Sequence, residues 1–156
     1  MAAEGKRYRI IYEDQWLLVI DKPSGLLVIP TPKKESNTLT GLLNKDLDSR
    51  GVEANAYPCH RLDRETSGII IYAKGKSIQQ RMMEEFRKRL VKKTYVAFVQ
   101  GTVKKDSDTI RNSIYNRNKN RKEPAVTTYR VLERRKGFTI LEAHPLTEGR
   151  TRSAYT

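Results

Sequence analysis

Between Pro58 and Lys74 the chain reads PCHRLDRETSGIIIYAK, which sets one carboxylate, Asp63, between Arg61 and Arg64 and then runs into an apolar segment. A carboxylate beside guanidinium groups has its ionised form favoured. That state suits nucleophilic or electrostatic work and makes a poor general acid. On local composition alone the ordinary alternative is a structural ion pair of Asp63 with Arg61 or Arg64. Little else in the chain competes for a chemical role: there is no Ser/His/Asp ordering, P-loop, GxGxxG or set of paired metal carboxylates. Cys59 is the one cysteine, so no internal disulfide can form. With only His60 and His144 as histidines, a zinc site would need carboxylates to complete four ligands. Cys59 and Trp16 read as packing residues, and His60 as a residue that orients its loop through a hydrogen bond.

The elements that must position Asp63 are readable from apolar spacing. The runs Ile10–Tyr12, Trp16–Ile20 and Leu26–Ile29, separated in part by Lys22-Pro23-Ser24-Gly25, predict two short strands around a turn. Leu39, Leu42 and Leu43 predict a short helix over 38–47, with Thr38 or Asn37 as its cap. The β-branched run after Gly68 predicts a central strand buried on both faces. Ile78, Met82, Phe86 and Leu90 recur every four residues and predict a helix capped by Ser77, one face on the sheet and Arg81, Arg87, Lys88 and Lys92 on the other. Thr94–Val103 alternates as a strand ended by Gly101. The polar stretch RNSIYNRNKNRKEP then reads as a mobile surface loop whose Asn residues and Tyr115 also suit phosphate and base contacts. A final hairpin joins VTTYRVLER to FTILEAHPL through Arg135-Lys136-Gly137.

Bulk composition narrows the partners. The chain has 156 residues, 31 lysines and arginines against 18 acids, a net charge of +13 and 37% hydrophobic content. A chain of this size is expected to form one core and to bury about 68–70% of its unfolded surface. The charge favours a polyanion, with nucleic acid ahead of a membrane because no apolar run approaches membrane-spanning length. The start, MAAEGKRYRI, has no apolar signal-peptide core, so the expected location is intracellular and cytoplasmic.

The residues around Asp63 carry a wider pattern. His60, Arg61, Leu62, Asp63, Thr66, Ser67, Gly68, Ala73 and Lys74 stand in one register that closely resembles the signature of the RluA-like pseudouridine synthases. Upstream, EDQWLLVIDKPSGLLVIP is similar to that family's strand ending in Lys-Pro, a small residue and Gly, here Lys22-Pro23-Ser24-Gly25. Downstream, Lys93, Tyr95, Ala97, Val99 and Gly101 match its Lys-x-Tyr-x-Ala-x-Val-x-Gly strand, and AVTTYRVLER with LEAHPLTEGRT resembles the strands leading to its Gly-Arg-Thr motif. The resemblance implies an α+β fold, a mixed and mainly antiparallel central sheet with flanking helices, forming a catalytic domain over residues 8–151.

The implied activity is isomerisation of uridine to pseudouridine in ribosomal or transfer RNA, with no cofactor and no metal, by a protein expected to be monomeric. Asp63 would be the catalytic carboxylate. A stacked uridine hides its reacting atoms and must be flipped out at a cost of a few kcal/mol. By resemblance Arg61 would fill the vacated place and Tyr95 would stack on the flipped uracil; Arg64 and Lys74 would tune the field around Asp63 or touch phosphate.

The family pattern continues past Gly-Arg-Thr to Gln-Ile-Arg, whose arginine is expected to pair with the catalytic aspartate. Here Gly149-Arg150-Thr151 is followed by RSAYT, a divergent tail over 152–156, and the arginine position falls at Tyr155. The expectation is a domain incomplete at its C-terminus, with a sheet edge left unpaired. A truncated chain, a shifted reading frame and a decayed gene product are all compatible with that ending. The alternative function is a noncatalytic RNA-binding remnant of such an enzyme.

Overall fold

Asp14 makes the first turn. Its carboxylate accepts the amides of Trp16 and Leu17, both at 2.7 Å, and so reverses the chain between strand β1 (Arg9–Glu13) and strand β2 (Leu17–Lys22). The computed structural model describes residues 7–32, 35, 37–116 and 120–147, and these divide after Leu90 into two compact units.

The first unit adds helix α1 (Leu39–Ser49), strand β3 (Ala56–Pro58), strand β4 (Gly68–Lys74) and helix α2 (Lys76–Arg87). Its strands form an antiparallel sheet in the order β1-β2-β4-β3. In β2 every second residue, Leu18, Ile20 and Lys22, turns into the core, following the two-residue period of a strand. Thr38 caps α1, its hydroxyl accepting the Gly41 amide at 3.2 Å. Leu39, Leu43 and Leu47 then form the buried stripe that packs with Leu18, Ile20, Ile70 and Tyr72.

Three expectations change here. Leu26–Ile29 is not a strand; it contributes only a bridge, Leu27 to Thr38. Strand β4 is not buried on both faces, because α2 packs on one end of its second face: exposure rises from 0% at Ala73 to 52% at Ile69. Helix α2 starts at Lys76 behind Gly75, without a Ser77 side-chain cap, and stops at Arg87. It stops because Arg89 takes a left-handed φ of 59°, letting the amides of Arg89 and Leu90 close on the carbonyls of Phe86 and Glu85. Leu90, expected on the apolar stripe, is 64% exposed.

The second unit is one antiparallel sheet of strands β5 (Tyr95–Gln100), β6 (Ser107–Asn116), β7 (Arg121–Arg135) and β8 (Phe138–Pro145), ordered β5-β8-β7-β6. The turn from β7 to β8 uses Gly137 at φ 87°, a conformation glycine adopts without steric cost. The stretch expected as a loop is instead the long β6–β7 hairpin. Its alternation of Ile110, Asn112 and Ile114 is strand-like beneath a polar, basic composition. Pro124 is tolerated in β7 because the β8 ladder ends at the Thr127–Pro145 pair, so no strand of the ladder demands its missing amide. The expected α+β class holds, with the strands divided between two four-stranded sheets. Residues 148–156, including Gly149-Arg150-Thr151 and Tyr155, lie outside the described residues, as do Arg117 and Lys119.

Candidate active site

Asp63 lies on the loop that joins β3 to β4, and the loop is fixed at both ends. At its entry the Cys59 amide donates to the Ile71 carbonyl at 2.9 Å, and the Ile71 amide donates to His60 Nε2 at 3.1 Å. The ring nitrogen thus stands in for a backbone carbonyl, which assigns His60 as the neutral tautomer protonated at Nδ1. Its ring packs 4.7 Å from that of Phe86. This is the orienting role expected of His60. Cys59 is buried as expected, and burial pushes its thiol up to about 11, away from reactivity. Trp16 is not a packing residue: it sits at the β1–β2 turn and is 52% exposed.

At the loop's far side the turn after β2 holds the backbone. The Arg64 carbonyl accepts two donors, the Gly25 amide at 2.8 Å and Lys22 Nζ at 3.0 Å, while the Ser24 hydroxyl donates to the Glu65 carbonyl at 2.8 Å. The Lys22 ammonium also donates to the carbonyls of Pro23 and Leu26 at 2.9 and 2.8 Å. Lys22 is fully buried. Burial lowers its pKa from the usual lysine value, and the nearby carboxylates of Glu65 and then Asp63 pull it partly back. A buried positive charge therefore lies within electrostatic reach of the Asp63 carboxylate. The place of Lys22 beside Pro23-Ser24-Gly25 predicts a turn residue, not a buried one. The available signal was its phase, since it follows Leu18 and Ile20 at the strand period.

The loop brings Arg61, Asp63 and Arg64 together with all three side chains exposed. The simple ion pair is not formed: among the described residues Asp63 makes no ion pair, and the Arg64 guanidinium instead lies 3.6 Å from Glu35. The Glu35 carboxylate is itself held by the Thr31 hydroxyl and amide, at 2.5 and 3.2 Å, which keep its pKa below the ordinary glutamate value. Glu35 had no sequence signal. Lys74, expected to act on Asp63 or phosphate, lies at the opposite end of β4, about 20 Å along the strand from Gly68. It is a structural residue there, donating to Glu13 at 2.6 Å and to the Asp14 carbonyl at 2.7 Å.

Tyr95 belongs to the second unit, where it opens β5 opposite Ala143. Ala143 in turn pairs with Tyr129, so the two tyrosines flank a small residue on one face of the sheet. Nearby, the Thr94 hydroxyl meets His144 Nδ1 at 3.2 Å and His144 Nε2 meets Glu142 at 3.1 Å. Among the described residues no group of three or more His, Cys, Asp or Glu side chains is placed to hold a metal ion. No described helix is long and apolar enough to cross a membrane.

Asp63 is thus an exposed carboxylate, without an ion pair among the described residues, on a loop whose backbone is pinned beneath it, in an α+β chain of net charge +13. The family model for RNA pseudouridylate synthase matches residues 16–153, and the chain belongs to that family. It is 37% identical over 142 residues to an uncharacterized RNA pseudouridine synthase of Aquifex aeolicus, covering 84% of this chain and 45% of that protein. It is 34% identical over 152 residues to ribosomal large subunit pseudouridine synthase C of Vibrio parahaemolyticus, covering 92% and 46%. A tRNA pseudouridine(31) synthase of Saccharomyces cerevisiae is 43% identical over 94 residues, 60% of this chain and 22% of the yeast protein. The solved structure of human RNA Pseudouridylate Synthase Domain Containing 4 matches with a TM-score of 0.76 and 26% identity, covering 90% of this chain and 60% of that one. The chain spans about half the length of the Aquifex and Vibrio relatives.

Proposed function

We propose that this chain carries an RNA pseudouridine synthase activity, converting uridine to pseudouridine in ribosomal or transfer RNA, with Asp63 as the catalytic carboxylate. The observation that carries the reading is Asp63 itself: it is solvent-exposed, free of ion pairing among the described residues, and set on a backbone that Lys22, Ser24 and Gly25 hold. Residues 8–151 are taken as one catalytic domain with a divergent tail over 152–156, and the family match over 16–153 supports that extent. A cytoplasmic location belongs to the same proposal, as a compartment that holds both ribosomal and transfer RNA.

The reaction breaks the N1–C1′ bond of uridine, turns the uracil and forms a C5–C1′ bond. N1 gains a proton and C5 loses one, so no oxidant or reductant is required. Asp63 serves as nucleophile or as the charge that stabilises the separated sugar and base, on a loop whose backbone the buried Lys22 ammonium holds from beneath. Arg61, exposed beside it, fills the space left by the flipped nucleotide, and Tyr95 stacks on the uracil. Such contacts are worth about 1–3 kcal/mol each. Arg64, already accustomed to an anion in Glu35, exchanges that partner for an RNA phosphate.

RNA tritiated at uracil C5 tests the proposal, because that hydrogen is released only when C5 becomes the glycosidic carbon. Release is expected from the wild type and is abolished by Asp63→Asn with RNA affinity little changed. Turnover retained by Asp63→Asn removes Asp63 from the mechanism. Absence of release from the wild type despite RNA binding leaves the noncatalytic RNA-binding remnant as the reading.

A further inference from the structure

The β6–β7 hairpin is more than a connection. Residues 112–116 and 121–125 form a two-stranded ribbon that runs past the end of the β8 ladder. Direct pairing sets Tyr115 opposite Lys122, Ser113 opposite Pro124 and Arg111 opposite Val126, which puts these side chains on one face. The other face carries Ile110, Ile114 and Glu123, and there Arg121 pairs with Glu123 at 3.4 Å.

The two faces differ in charge and in kind. Arg111 and Lys122 are exposed and make no ion pair among the described residues. The Tyr115 ring is 52% exposed, yet its orientation is fixed, because its hydroxyl donates to the Asn120 side-chain oxygen and Asn120 holds a left-handed φ of 49° at the hairpin end. A fixed aromatic ring thus stands with one free cation across the ribbon, about 5 Å away at Cβ, and another about 14 Å down the strand.

We propose that this face binds unpaired nucleotides of RNA, with Tyr115 stacking on a base and Lys122 and Arg111 taking the phosphates on either side of it. The inference deepens the RNA-modifying reading above and rests on it. Stacking on a ring requires an open base face, and the major groove of an RNA duplex is too deep and narrow to be read from a ribbon of this kind. The occupant is therefore single-stranded RNA rather than a helix.

The test uses the full chain and two fluorescent probes, a single-stranded oligouridylate of about twelve nucleotides and a blunt RNA duplex of similar length, read by anisotropy. Wild type is expected to prefer the single strand. Tyr115→Ala should weaken that binding about 5- to 150-fold, while Tyr115→Phe, which keeps the ring, restores most of it. The double variant Arg111→Gln/Lys122→Gln should make the slope of log K against log salt shallower by about 1.4. Unchanged circular dichroism shows that each variant is folded. Wild-type affinity in Tyr115→Ala, or equal affinity for the duplex, overturns the inference while leaving the RNA reading in place. Failure of the wild type to bind either probe overturns both.

Discussion

Replacing Lys22 with methionine isolates what the buried ammonium does. Methionine keeps an unbranched stem of similar length in the slot beside Leu18 and Ile20, so the loss is confined to the charge and its hydrogen bonds. Three bonds disappear, at 2.9, 2.8 and 3.0 Å. The Arg64 carbonyl keeps the Gly25 amide, but the carbonyls of Pro23 and Leu26 lose this donor. Leaving the buried Leu26 acceptor unsatisfied costs about 1–3 kcal/mol, whereas the carbonyl of the exposed Pro23 can turn to water. Part of that is returned, because the ammonium no longer has to be desolvated, a penalty already visible in its lowered pKa. A net destabilisation of about 1–2 kcal/mol follows, which lowers Tm by roughly 2–8 °C for a chain of this size. Trp16, the one tryptophan, lies in the first unit and reports its unfolding by fluorescence. Hydrogen exchange at the Gly25 and Thr66 amides, which bond to Arg64 and Asp63, reports the loop itself. Both amides should lose protection in Lys22→Met. A wild-type midpoint together with unchanged exchange at Gly25 would refute the argument that the ammonium holds the Asp63 loop.

Glu13 provides a pH-dependent counterpart at the other end of the sheet. Arg50 grips its carboxylate at 2.9 and 3.0 Å and Lys74 adds a bond at 2.6 Å, lowering its pKa from 4.5 to about 2. Because the folded value is depressed, the stabilisation is complete above about pH 4.5 and disappears as pH falls towards 2. Partial exposure of the Arg50 pair reduces its size to about 1–2 kcal/mol. Urea titrations should therefore show Glu13→Gln less stable than wild type at pH 7, with the gap narrowing below about pH 4.5 and closing towards pH 2; a gap that does not change with pH contradicts this assignment. At the end of α2, Arg89→Gly should raise stability by up to about 1 kcal/mol, since glycine accepts the left-handed φ of 59° that costs a side-chain-bearing residue. A lower Tm in that variant would mean that the Arg89 side chain contributes more than its backbone costs.

Local features were legible because neighbours in sequence decide them. The alternation of Leu18 and Ile20, the capping hydroxyl of Thr38, the Gly137 turn and the leucine stripe of α1 all depend on residues a few positions apart. The β6–β7 hairpin was not legible, because Arg, Lys and Asn at exposed positions concealed the alternation of Ile110 and Ile114. The extent of α2 was overread: its four-residue spacing continues to Leu90, but the backbone turns at Arg89.

By itself the sequence determined which residues are chemically notable: Asp63, Arg61 and Arg64 stand out through type and spacing, and Tyr95 through the family resemblance, in a chain whose charge calls for a polyanion. Only the tertiary structure decided their neighbours. Lys22 meets the Asp63 loop across 42 positions, and Lys74 is drawn to Glu13 across 61. Glu35 takes the Arg64 guanidinium that adjacency alone would have given to Asp63. Ion pairs and buried hydrogen bonds act over a few ångströms of space, and strand pairing, rather than order along the chain, determines which groups come within that range.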